Sequence, residues 1–252
     1  MESLTSGVVD LVFPPRCPAC VDAGRTEVGP LCRACGDALD DGRAAPACPR
    51  CAGTLARYDV ADGSCWSCRR YGVRVVGTVR VGAYGDPLGG LVRDFKYRGR
   101  VGHGYALGRW LGASVSAAAW CDEIDVVTSV PTHWRHRLRR PLHAADVLGA
   151  QVARLAGLPY VALLRRVRAG PHQVGLSHAE RIANVRGAFA MRADVSLRSA
   201  RVLLVDDVKT TGATINECAR VLYAGGAAAV YAAVVLTAGW TPGGGTGVLA
   251  AM

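Results

Sequence analysis

The sequence predicts an α/β fold, a parallel sheet flanked by helices, preceded by a cysteine-rich metal module. Eight of the ten cysteines form four C-x-x-C pairs, all before residue 70. Beyond Tyr71, β-branched runs alternate with helical patterns, the order that builds a parallel sheet covered on both faces. Finally, the apolar run Val202–Val205 ends on two aspartates and a loop of threonines and glycine, as expected at the ligand-binding edge of such a sheet.

Composition sets the bounds. Half of the 252 residues are hydrophobic and a fifth are charged, enough to bury a core and to exclude disorder for most of the chain. No apolar run approaches the roughly 20 residues that cross a bilayer, so membrane insertion is not expected. The first twenty residues lack the pattern of a secretion signal, which makes a cytoplasmic location the expectation. Cysteines in such a chain are metal ligands more often than disulfides. The net charge of +10 is unevenly divided: residues 1–70 carry −1 and residues 71–252 carry +11. Three units follow, a metal module over 1–70, an α/β domain over 71–240 and a glycine-rich tail over 241–252.

Residues 1–70, rich in Cys, Gly, Pro, Asp and Arg, are not expected to build a core from side chains. A strand follows within Val73–Tyr84, then helices over Pro87–Tyr97 and Tyr105–Ala119. Ile124–Val130 reads as a strand stopped by Pro131, and Ala144–Leu155 as a helix. Ser177 with Glu180 three residues on fits a capping box opening a short helix to Asn184. Arg201–Val205 is a strand, Thr214–Ala224 a helix closed by Gly225 and Gly226, and Ala227–Leu236 another strand.

Each C-x-x-C pair can place two sulfurs on one side of a tight knuckle, and two knuckles complete a tetrahedral thiolate shell for Zn²⁺. Sequential pairing is favoured, Cys17, Cys20, Cys32 and Cys35 in one site and Cys48, Cys51, Cys65 and Cys68 in the other. Interleaved pairing is the alternative. Four-thiolate sites are closed, so the two zinc ions are expected to be structural. With −2 at each site, the charge of +10 falls to about +6. Cys121 and Cys218 stand alone and read as packing residues.

Arg201-Val-Leu-Leu-Val-Asp-Asp-Val-Lys-Thr-Thr-Gly-Ala-Thr214 carries the chemistry. Its loop offers backbone N–H groups and hydroxyls at a helix N-terminus, where the dipole and the unpaired donors favour a phosphate dianion. Carboxylates repel phosphate, so the acidic pair needs another target: sugar hydroxyls or a divalent cation. Together the features read as a ribose 5-phosphate site. From Val202 to Thr214 the chain resembles, without a break, the 5-phosphoribosyl 1-diphosphate (PRPP) signature of the type I phosphoribosyltransferases. The resemblance implies that fold, with a small hood around residues 160–190. It makes Asp206 and Asp207 the catalytic pair, holding the ribose 2- and 3-hydroxyls. Lys209, Thr210, Thr211, Gly212, Ala213 and Thr214 would wrap the 5-phosphate.

Ala83-Tyr-Gly-Asp-Pro-Leu, Leu91-Val-Arg-Asp-Phe-Lys-Tyr-Arg-Gly99 and Gln173-x-x-Leu-Ser-x-x-x-Arg181-x-x-Asn184-Val-Arg-Gly-Ala-Phe189 are similar to segments of the ComF proteins, the competence-associated group that includes GntX. The double zinc ribbon completes that resemblance. It implies displacement of diphosphate from PRPP by a nucleophile, with Mg²⁺ bridging the diphosphate and the ribose hydroxyls, in a protein linked to DNA uptake. Its partners would be PRPP or ribose 5-phosphate, single-stranded DNA and competence-machinery proteins. The alternative is a non-catalytic single-stranded DNA-handling or adaptor protein with a retained PRPP site. One stretch departs: where the family has a Gly-Phe-Asn-like sequence, this chain has Arg140-Pro141-Leu142-His143.

The preceding loop, Thr132–His143, holds four arginines, three histidines and Trp134 with no acid. Arg137 and its neighbours could grip diphosphate through guanidinium forks or track the phosphates of a single strand stacked on Trp134. A solvated basic loop is the plainer alternative. Lys96, in Phe95-Lys-Tyr-Arg-Gly, is a further substrate-binding candidate. It and Lys209 are the chain's only lysines, and both lie in ligand-associated motifs.

Overall fold

In the computed structural model, residues 17, 19–20, 31–55, 60–61, 64–85, 87–132, 143–168, 178–193 and 195–238 are described. In chain order the strands are β1 (Val60–Ala61), β2 (Ser64–Cys65), β3 (Thr78–Ala83), β4 (Val126–Ser129), β5 (Leu164–Arg166), β6 (Phe189–Met191), β7 (Arg201–Lys209) and β8 (Ala229–Thr237). The α-helices are α1 (Arg33–Ala44), α2 (Trp66–Tyr71), α3 (Leu88–Arg98), α4 (Val101–Ser116), α5 (Ala144–Ala156), α6 (His178–Val185) and α7 (Ala213–Ala224).

A four-stranded parallel sheet in the order β3-β8-β7-β4 forms the centre. Its two inner strands are apolar on both faces, as a sheet sandwiched between helices requires. Side chains alternate across the strand: Leu203, Val205, Tyr231, Ala233 and Val235 face the helices α3, α4 and α5. Val202, Leu204, Val230, Ala232 and Val234 face α7 and the β5–β6 unit. This parallel sheet flanked by helices, behind a module with two four-cysteine groups, is the architecture that the resemblance implied. β5 and β6 pair antiparallel and, with α6, pack against α7, where the hood was expected.

Both edges of the sheet are covered. On the β4 side, Val127 donates to Pro159 O at 2.9 Å and Val161 donates to Val127 O at 2.9 Å. On the β3 side, the Thr78 amide donates to Pro49 O at 3.0 Å, so the Cys48–Cys51 knuckle occupies the position of a further strand.

Three expectations need correction. Residues 1–70 do contribute to a core: Leu31, Cys35 and Leu39 are buried in the same cluster as Val81, Leu88 and Leu91. Cys35 and Leu39 lie four residues apart and so share one face of α1, a short stripe hidden in a polar sequence. The strand at Arg201 does not stop at Val205 but runs to Lys209, where it pairs with Thr237, so the acidic pair lies inside β7. α4 starts at Val101 rather than near Tyr105. Gly102 and Gly104 obscured it, and at Gly104 a Cβ would meet the Phe95 ring at 2.5 Å. The capping residue Ser177 and the tail over 241–252 lie outside the described residues.

Candidate functional site

The cysteines assemble in sequential pairs. Cys17, Cys20, Cys32 and Cys35 form one group and Cys48, Cys51, Cys65 and Cys68 the other, the sulfurs of each lying within 4.8 Å of one another. Neighbouring Sγ atoms are 3.5 Å apart in Cys20–Cys32 and Cys51–Cys65, 3.6 Å in Cys65–Cys68 and 3.8 Å in Cys48–Cys68. Four sulfurs at the usual Zn–S length sit about 3.8 Å apart in a tetrahedron, so the donor set fits Zn²⁺. The thiols also crowd one another electrostatically. Hydrogen bonds from Cys51 and Cys68 drive Cys48 down, while those same contacts with Cys48 push Cys51 up to about 11 and Cys68 well above the usual thiol range. Only a cation among them lets all four ionise.

The second group is fastened to the sheet. Arg80 of β3, held below the usual arginine range by burial, donates to Ala52 O at 2.9 Å, Thr54 Oγ1 at 2.7 Å, Thr237 Oγ1 at 2.7 Å and Ala45 O at 3.3 Å. Thr78 Oγ1 donates to Arg50 O at 2.8 Å. Sequence reading passed over Arg80, because an arginine in a β-branched strand carries no signal of what it binds.

Near the carboxyl end of β7 the acidic pair meets Lys96. α3 buries Leu88, Leu91, Val92 and Phe95 and ends on left-handed Gly99. That places Lys96 in its last turn, with Nζ 2.8 Å from Asp207 Oδ1. Burial alone would lower the ammonium; Asp207, and Asp206 beyond it, outweigh this and hold it above the usual lysine range. Burial, and then the charge of Asp207, push the Asp206 carboxyl up to about 7 against the pull of Lys96. The Asp207 amide donates to Asp206 Oδ1 at 2.9 Å.

The loop then enters α7 through Gly212 at φ 79°, a left-handed conformation that favours glycine. Thr211 Oγ1 accepts from the Ala213 amide at 3.3 Å. The first amides of α7 lie where a helix lacks internal acceptors. Thr210, Thr211 and Gly212 therefore form the loop that follows the acidic pair on β7, and Ala213 and Thr214 open α7. Lys209 lines a cavity with Cys51, Tyr71, Thr211, Gly212 and Asn216, and its charge lowers the Cys51 thiol. Arg137 and the rest of the loop over 133–142 lie outside the described residues.

A second polar cluster stands at the end of β4. Ser129 Oγ donates to Asp146 Oδ1 at 2.5 Å and lies 2.8 Å from the Tyr160 hydroxyl, which itself donates to Asp146 Oδ1 at 3.1 Å. These residues come from three elements, and no sequence spacing joins them.

Comparison with known proteins agrees with this architecture. The double zinc ribbon domain family matches residues 8–70 and the phosphoribosyl transferase domain family residues 141–242. Competence protein F of Haemophilus influenzae is 29% identical over 76% of this chain and 83% of its own length. The DNA utilization protein YhgH of Salmonella typhimurium is 32% identical over 73% of this chain and 80% of its own. Among solved structures, an allosteric regulatory enzyme of purine biosynthesis is 26% identical over 52% of this chain and 25% of that one, with a TM-score of 0.35. The two cysteine sites, the acidic pair with its phosphate-type loop and the extended likeness to these relatives place the chain in the family of competence protein F and DNA utilization protein YhgH.

Proposed function

We propose that the chain binds the ribose 5-phosphate part of PRPP at the β7–α7 junction and acts in DNA uptake or use. The observation that carries the reading is the juxtaposition of two opposed chemistries. Acceptor carboxylates on Asp206 and Asp207 stand beside a helix entrance whose amides and threonine hydroxyls donate. A sugar phosphate presents both complements, hydroxyls to the acids and a dianion to the loop. Asp207 already has Lys96 as its cation, so hydroxyl recognition suits the pair better than direct binding of Mg²⁺. A metal would be held chiefly by the diphosphate, where it would neutralise leaving-group charge.

If the protein is a transferase, its own groups supply positioning and electrostatics: the loop fixes the phosphate and the acids orient the ribose for displacement at the anomeric carbon. Such a reaction would make it a phosphoribosyltransferase. The second reading, a single-stranded DNA-handling or adaptor protein that retains the sugar-phosphate site, rests on the likeness to competence protein F and DNA utilization protein YhgH and on the basic loop containing Arg137. Calorimetry with PRPP and Mg²⁺ tests the first: wild type binds, and Asp206→Ala with Asp207→Ala abolishes the heat. No binding to wild type would overturn it. Salt-dependent binding of single strands, weakened by Arg137→Ala with Arg139→Ala, would favour the second.

A further inference from the structure

We propose that the second cysteine centre and the phosphate-type loop are coupled with positive sign, so that metal held by Cys48, Cys51, Cys65 and Cys68 strengthens anion binding at α7, and a bound anion retains the metal. This rests on the anion-site reading above and concerns its regulation.

The coupling runs through a short chain of contacts. Cys65 is the residue on which α2 begins and Cys68 lies inside it, so two of the four thiolates belong to the helix. A metal that gathers the sulfurs therefore fixes α2. Its last turn is closed by the Gly72 amide donating to Cys68 O at 3.0 Å. From there Asn216, in the first turn of α7, spans the gap: its Nδ2 donates to Gly72 O at 2.6 Å and its Oδ1 accepts from the Arg74 amide at 2.9 Å. One turn back, the Asn216 amide donates to Gly212 O at 2.9 Å. The residue that grips the metal-ordered segment thus also closes the helix entrance at which the anion is read.

Lys209 is the second link. Its Cε lies 3.1 Å from where a Gly212 Cβ would stand, so the side chain covers the back of the loop, and it lines the cavity shared with Cys51. A four-thiolate zinc centre carries −2 and a phosphate monoester about as much. A single ammonium between them reduces the repulsion that would otherwise make the two sites compete. This role differs from that of a direct phosphate ligand.

Linkage makes the effect reciprocal. The test uses the full chain with its zinc. A chromogenic chelator draws the metal while N-ethylmaleimide traps each released thiol, and peptide mass spectrometry assigns the cysteines. Ribose 5-phosphate is expected to slow release at Cys48, Cys51, Cys65 and Cys68 by about fivefold or more and to leave Cys17, Cys20, Cys32 and Cys35 unchanged. Asn216→Ala and Lys209→Met should each shrink that protection. In parallel, amide hydrogen exchange across residues 212–218 should rise when the second centre is emptied, while α4 stays protected.

Bound ribose 5-phosphate that leaves release unchanged, or slows both centres equally, would overturn the coupling. If calorimetry shows no ribose 5-phosphate binding, the anion-site reading fails by itself. Hydrogen exchange then decides the coupling: unaltered exchange at 212–218 after metal loss would refute it.

Discussion

Burial and the charge of Asp207 hold the Asp206 carboxyl near 7, far above its ordinary 3.8, and this has a definite pH signature. The folded chain binds that proton more tightly than the unfolded chain. The associated stability is therefore fully present below about pH 4 and is lost as pH rises through 7. Asp206→Asn should remove the dependence, stabilising the protein by up to about 4 kcal/mol at pH 8 and by little near pH 4, as read from urea unfolding at the two pH values. A ligand that donates hydroxyls to the carboxylate favours its charged form. Binding of ribose 5-phosphate at pH 6.5 is thus expected to release protons, measurable as a buffer-dependent heat. Lys96→Met leaves two adjacent carboxylates without their cation; it should cost about 2 kcal/mol and raise Asp206 further.

Helices α4 and α5 approach closely because α4 offers glycines at the contact. A Cβ on Gly108 would lie 2.7 Å from Gln151 Cβ, and one on Gly112 would lie 2.5 Å from Leu155 Cδ1. Gly108→Val should force the pair apart at a cost of about 2 kcal/mol, visible in thermal denaturation, with the loop beyond α5 shifted as well. Elements of this kind mark where the sequence is legible. Periodic helices such as α3, α5 and α7 and the β-branched strands announce themselves, since burial on one or both faces writes a pattern. α1 did not, because only Cys35 and Leu39 face inward from a charged segment, and β5 and β6 are three residues each, too short for alternation to register. At the site, Asp206, Asp207 and the threonine loop were readable from one contiguous motif. The Ser129, Asp146 and Tyr160 cluster, the Arg80 anchor and the reach of Lys209 were not, because each depends on residues brought together only by folding.

Across the whole molecule the zinc ribbon is part of the core, not an appendage. Cys17 and Cys35 lie in the same apolar cluster as α3, α4 and the sheet. Metal removal should therefore lower the melting temperature of the entire chain, by roughly 10 °C or more, in one transition. The near-ultraviolet signal of Trp110 and Trp120, which pack against that cluster, should be lost in the same step. A signal that outlasts the metal-dependent melting transition would mean that the α/β part stands without its ribbon.

The position of β3 bears on how the protein is made. Its sheet partner β8 lies about 150 residues further along the chain, so during synthesis β3 emerges long before that partner exists. A solitary strand with open amides and carbonyls invites mispairing with other nascent chains. The four-cysteine group whose Cys48–Cys51 knuckle meets Thr78 is already complete by Cys68, ahead of β3 itself. Early zinc capture would give the waiting strand a neighbour on one side, so that the ribbon serves as an intramolecular chaperone through translation.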